Sequence, residues 1–138
     1  MTALQKYETR ADAIDSLLCV GLDPDFMKLP ARFLRSSYPQ FEFCRYLIDA
    51  TNACTAAYKL NIAFFEARGM QGFQELKLIT DHLRSSHPDI LLLCDAKRSD
   101  TLNTNIQYAR SVFDWFACWS SARPARRRFA RPALWLGR

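Results

Sequence analysis

Three short, mainly apolar runs punctuate the chain at intervals of about 30–40 residues, the spacing that a strand–helix–strand repeat requires. They are Leu17–Leu22, Ala57–Phe65 and Ile90–Cys94. Asp23 closes the first, Lys59 sits within the second and Asp95 closes the third. Between the runs, apolar residues recur at spacings of three and four, which marks one face of an amphipathic helix. Phe43, Leu47, Ala50, Cys54 and Ala57 form such a face in the first interval, and Phe73, Leu76, Ile79 and Leu83 in the second. Leu4, Tyr7, Ala11 and Ile14 mark a helix before the first run, and Ile106, Ala109, Phe113 and Phe116 one after the third. The order is a helix followed by three βα units, which predicts an α/β protein with a parallel sheet. An open doubly wound sheet and a (β/α)8 barrel both fit it.

The breaks between elements have a chemical basis. Asp23-Pro24 stops the first strand, and residues 24–39, with three prolines, read as a long loop or one containing a short helix. Gly69 and Gly72 stand near the start of the third helix, and His87-Pro88-Asp89 ends it, because proline cannot continue a helix. Continuous apolar runs are typical of parallel strands covered on both faces, so the three strands are expected to be buried.

Composition narrows the function classes. Apolar residues make up 49% and charged residues 24%, the balance of a globular chain rather than a disordered one. The longest clean aliphatic run, Ile90–Leu93, is far below the ~20 residues that span a bilayer, and no secretory pattern opens the chain. The net charge of +5 is unevenly placed: residues 1–114 hold all 14 acids against 13 of the 19 basic residues, while residues 115–138 hold six arginines and no acid. The basic pI therefore does not argue for nucleic-acid binding by the whole chain. Five cysteines (Cys19, Cys44, Cys54, Cys94 and Cys118) give an odd number without C-x-x-C spacing, which suits reduced, buried thiols in the cytosol. His82 and His87 read as surface residues without a matching ligand triad, so no metal site is expected from them. Neither G-x-G-x-x-G nor a P-loop sequence occurs, so dinucleotide and P-loop nucleotide binding have no support.

The strongest chemical signal is Asp95-Ala96-Lys97-Arg98-Ser99-Asp100, at the carboxyl end of the third strand. Ligands of α/β folds gather at that end. If the strand runs through Lys97, alternation places Asp95 and Lys97 on one side, with Lys59 and Asp23 at the ends of the neighbouring strands. A lysine between carboxylates is favoured in its charged form. Such an ammonium can stabilise a developing carbanion and donate a proton to it. A purely structural ion-pair cluster closing the strand ends, or paired acids holding Mg²⁺, are the other readings of the same residues.

Leu18–Asp25, Tyr58–Glu66 and Asp95–Asp100 together resemble orotidine 5'-phosphate decarboxylase, in the bacterial branch whose third strand ends in D-A-K-R-G-D-I-G-N-T. The resemblance covers about residues 3–116. It implies a (β/α)8 TIM barrel, here as its first three βα units preceded by an N-terminal helix. It further implies cofactor-free and metal-free decarboxylation of orotidine monophosphate to uridine monophosphate in the cytoplasm. By position, Lys97 would protonate C6 as CO₂ leaves, Asp95 would face the substrate carboxylate, and Lys59 would join the charge network and reach the ribose. Asp23 would bind a ribose hydroxyl. Asp100 and Thr104 would reach the neighbouring subunit's site in a homodimer. The family's G-D-I-G is here Ser99-Asp100-Thr101-Leu102, which puts a polar residue and a bulky one into the expected dimer-shared pocket. D-x-K-x-x-D alone also occurs in Mg²⁺-dependent sugar-phosphate decarboxylases and synthases, which the segments around Asp23 and Lys59 disfavour.

A closed barrel typically takes ~250 residues, so the resemblance predicts that this chain carries an open part of one. Residues 117–138, rich in Arg, Ala, Pro and Trp, match no fourth strand. They are expected to be a non-homologous tail arising from a reading-frame shift or truncation. The competing reading is a noncatalytic chain with a basic, nucleic-acid-binding tail.

Overall fold

The computed structural model describes residues 1–98 and 101–115. The polypeptide opens on α1 (Ala3–Ile14), which begins in a capping box: Gln5 N–H donates to Thr2 Oγ1 at 3.1 Å and Thr2 N–H to Gln5 Oε1 at 2.8 Å. Asp15, left-handed at φ 49°, ends it. β1 (Cys19–Leu22) follows, then a 3-10 turn at Phe26–Lys28 inside the expected loop. α2 (Pro39–Thr51) starts with proline at a position where its missing N–H costs nothing. β2 (Ala57–Asn61) leads into a short helix, α3 (Ala63–Glu66), then α4 (Gly69–Ser86) and β3 (Leu91–Asp95). α5 (Leu102–Ala109) widens into a π-helical turn at Arg110–Trp115.

The strands form one parallel sheet in the order β1-β2-β3. Gly21 pairs with Lys59, Lys59 with Leu93, and Asn61 with Asp95. Strand alternation then sorts the side chains. Leu22, Tyr58, Leu60 and Leu92 point to the face covered by helices and are buried. Ile48, Phe65, Leu76, Ile79 and Leu83 meet them there. Complete burial of such side chains contributes roughly 1.5–3 kcal/mol each. The Tyr58 hydroxyl is satisfied inside this core by Thr51 Oγ1 at 2.9 Å and the Ile48 carbonyl at 3.2 Å.

At the lower rim, where the strands begin, a single side chain from α1 joins β2 to β3. Arg10 donates to the carbonyls of Asn52 and Thr55, ahead of β2, and to the Asp89 carboxylate, ahead of β3.

Four expectations need correction. The strands are not covered on both faces along their length: on the face turned away from the core cluster Ala57 and Leu91 are buried at the strand starts, but Cys19 and Gly21 are exposed and Leu93 is 40% accessible. The second strand stops at Asn61, since Ile62 turns helical and carries Phe65 back into the core. The core face of α2 is Gln40, Cys44 and Ile48, one residue round from the predicted face. Phe43 instead packs edge-on against Phe33 of the preceding loop, with ring centroids 5.3 Å apart. Of the thiols, Cys44 is buried, but Cys19 and Cys54 are exposed; the first lies on the open sheet face and the second in a 3-10 turn.

No helix among the described residues is long and apolar enough to cross a membrane.

Candidate active site

The carboxyl ends of the three strands bring four charged side chains into one line. Lys59 Nζ lies 3.1 Å from Asp23 Oδ1, 3.4 Å from Asp23 Oδ2 and 3.9 Å from Asp95 Oδ2. Asp95 Oδ2 also accepts from Lys97 Nζ. Charge therefore alternates along Asp23, Lys59, Asp95 and Lys97. The register explains the meeting: Lys59, Asn61 and Asp95 all project from the open face, with Asn61 and Asp95 paired across the ladder. Gly21, beside Lys59, leaves that face bare; a Cβ there would lie 3.8 Å from both Lys59 Cε and Asp23 Oδ1.

Lys97 reaches this line by a different route from the expected one. β3 ends at Asp95, so strand alternation does not aim Lys97. Its backbone is left-handed, φ 51°, and this turn folds the side chain back over the strand end. Few non-glycine residues adopt that conformation, and it costs of order 1–2 kcal/mol. The ammonium is the most open of the four groups, at 59% side-chain exposure, against about a third for Lys59 and Asp95.

Two neighbours belong to the same rim. Asn61 Oδ1 lies 3.5 Å from Lys97 Nζ and 3.4 Å from the Ala63 amide. Its signal in the sequence is position alone, two residues after Lys59 on the same strand. Arg98 pairs with Glu66, and its guanidinium sits 5.4 Å from the Tyr108 ring centroid, which ties the segment after β3 to α3 and α5. Thr104, in the first turn of α5, meets the Thr101 hydroxyl at 3.2 Å. Asp100 and Ser99 lie outside the described residues, as does the stretch from 116 onward.

The reading of His82 and His87 as separate surface residues also needs correction. The two rings pack edge to face, 5.9 Å apart, and His82 Nε2 is shut off from solvent opposite Asp49 of α2. The fold supplies a third potential ligand from an element the linear sequence does not connect to them.

Residues 16–126 match the model of the "Orotidine 5'-phosphate decarboxylase / HUMPS family". An orotidine 5'-phosphate decarboxylase of Leptospira interrogans is 47% identical over 113 residues, which is 82% of this chain and 41% of that protein. A Toxoplasma gondii protein assigned as an orotidine-monophosphate-decarboxylase superposes with a TM-score of 0.74 at 39% identity, over 83% of this chain and 37% of that one. The Leishmania donovani OMP decarboxylase superposes with a TM-score of 0.68 at 36% identity, covering 84% of this chain and 41% of its own. The chain thus spans about two fifths of the length of the relatives it matches. Its three parallel βα units are an open part of the barrel those relatives build, and with the matched residues covering most of its length the chain belongs to the orotidine 5'-phosphate decarboxylase family.

Proposed function

We propose that the site serves the decarboxylation of orotidine 5'-monophosphate to uridine 5'-monophosphate, a step of pyrimidine nucleotide synthesis. The observation that carries this reading is the alternating line Asp23–Lys59–Asp95–Lys97 at the carboxyl rim of the sheet. The bond from C6 to the substrate carboxylate breaks, CO₂ leaves, and the electron pair stays on C6. The Lys97 ammonium stabilises that charge and then gives its proton to C6. Asp95 stands against the departing carboxylate and, with Asp23 and Lys59, holds the ammonium in place. Lys59 and Asp23 take the ribose. This chemistry calls on neither metal nor cofactor.

In this reading Asp100 and Thr104 complete the site of a second subunit in a homodimer, and the protein works in the cytoplasm, which suits the free thiols Cys19, Cys44 and Cys54. Residues 1–116 are the barrel part and 117–138 a tail of separate origin. A fourth strand encoded in another frame beyond the Phe116 codon supports a frame shift, and none in any frame overturns it.

The open face bears on activity. An ammonium acts on a nascent carbanion most strongly where water is excluded, and phosphate binding normally orients the reacting ring. The 138-residue chain alone is therefore expected to show no turnover. The test of the chemistry joins residues 1–116 to the remaining barrel of the Leptospira relative and follows loss of orotidine monophosphate. Activity that falls about 10³-fold or more in Lys97→Ala supports the reading. A folded chimera that is inactive, or indifferent to Lys97, overturns it.

A further inference from the structure

A second cluster of ligating side chains lies at the other end of the sheet. α4 runs into β3 and α2 runs towards β2, so the carboxyl ends of both helices stand beside the strand starts, away from Lys59 and Lys97. The two helices run side by side in the same direction: Glu75 of α4 meets the Phe41 amide of α2 at 2.9 Å, and about two turns on in each helix His82 faces Asp49 at 3.8 Å. Two turns of helix thus separate an occupied polar contact from one that is too long for a hydrogen bond.

His82 Nε2 is buried and has no hydrogen-bond partner. Buried polar atoms are almost always satisfied, and each exception needs a reason. The other ring nitrogen, Nδ1, stands 3.5 Å from Ser86 Oγ, and Phe41 packs edge-on against the ring. A proton held on Nδ1 leaves the lone pair on Nε2, facing Asp49. One potential ligand atom from each of the three residues lies within 4.8 Å of the others.

We propose that Asp49, His82 and His87 form a binding site for a divalent cation of the zinc class. Two imidazoles and one carboxylate are borderline donors that suit zinc, cobalt and nickel better than magnesium or calcium. Two donors about 2.0–2.1 Å from zinc at a tetrahedral angle stand about 3.4 Å apart, so the 3.8 Å between His82 and Asp49 closes with a small rotamer change. The negative ends of the two helix dipoles point at this spot and favour a cation. Arg45, the nearby cation, is itself paired with Glu42 at 2.5 Å. A bound ion would clip α2 to α4 and leave a coordination position for water.

The test titrates the purified full chain with Zn²⁺ by calorimetry and with Co²⁺ by visible absorption, alongside Asp49→Asn and His87→Ala. Asp49 is 61% exposed, so its substitution leaves the fold intact, which far-ultraviolet circular dichroism checks. The expected result is one ion per chain, a cobalt spectrum without thiolate charge-transfer bands, and affinity at least about tenfold weaker in both variants. Zinc should also raise the melting temperature of the parent chain but not of Asp49→Asn. Wild-type affinity in the variants, a thiolate spectrum lost in Cys54→Ser, or no saturable binding at millimolar metal overturns the proposal.

Discussion

Lys97 donates to the Asp95 carboxylate from a left-handed backbone, two residues beyond the end of β3. The ion pair and the backbone turn are therefore linked, and the side chain that the proposed chemistry needs sits where a glycine would be more comfortable. Strain of this kind gathers at functional positions. The ion pairs do not repay it in stability, since partly exposed pairs contribute about 0–1 kcal/mol each.

Replacing Lys97 separates backbone from side chain. Lys97→Gly should be more stable than Lys97→Ala by about 1 kcal/mol, because only the alanine keeps the left-handed cost. Urea unfolding of the two variants measures the difference; equal midpoints would show that the turn is unstrained.

Gly72 tests the contact between α3 and α4. A Cβ at this position would run into the Phe65 carbonyl and crowd Arg68 Cβ at 2.8 Å. The backbone oxygen cannot swing away as a side-chain tip could. Gly72→Ala is expected to cost about 1–3 kcal/mol, the usual penalty of overpacking, despite alanine's better helix propensity. Thermal melting of the variant reads it directly.

Glu75 is fully buried, accepts from the Phe41 amide, and lies 4.0 Å from Arg68. Desolvation raises its pKa above the ordinary 4.5; the Phe41 and Gln40 amides and Arg68 oppose the rise. The folded state therefore holds this proton more tightly than the unfolded chain. Its contribution is present in full below 4.5 and is lost as pH climbs through the raised folded value. Stability of the parent chain relative to Glu75→Gln should fall across that window, as denaturant midpoints measured at a series of pH values will show. A constant difference contradicts the assignment.

Thiol labelling reports on the core. Burial pushes the Cys44 thiol far above its usual range, while Cys54 is exposed. In a Cys118→Ser background, a disulfide reagent should modify Cys54 at once and Cys44 only when the protein unfolds. Rapid native labelling of Cys44 would mean that α2 does not pack as described.

The order of elements was legible because each depends on local chemistry: apolar period, caps and proline stops. Leu76, Ile79 and Leu83 could be placed on the core face of α4 from spacing alone. Details that depend on distant partners were not legible. Phe43 and Cys44 are adjacent, and it is Cys44 that faces the core while Phe43 packs against Phe33 of the preceding loop. The four charges at the strand ends could be foreseen as a group, but the turn that aims Lys97 could not, since lysine is a poor indicator of a positive φ. Asp49 could not be joined to His82 and His87, because the side-by-side packing of two helices leaves no mark in a linear pattern.

The contacts of Arg10 impose an order on assembly. Its three acceptors lie 42, 45 and 79 positions further along the chain. During synthesis α1 leaves the ribosome well before any of them exists, and Asp89 emerges only when β3 is about to follow. α1, tied early through Tyr7 to the Leu17 carbonyl, thus gains its Arg10 fastenings one after another, the final one as the sheet receives its third strand.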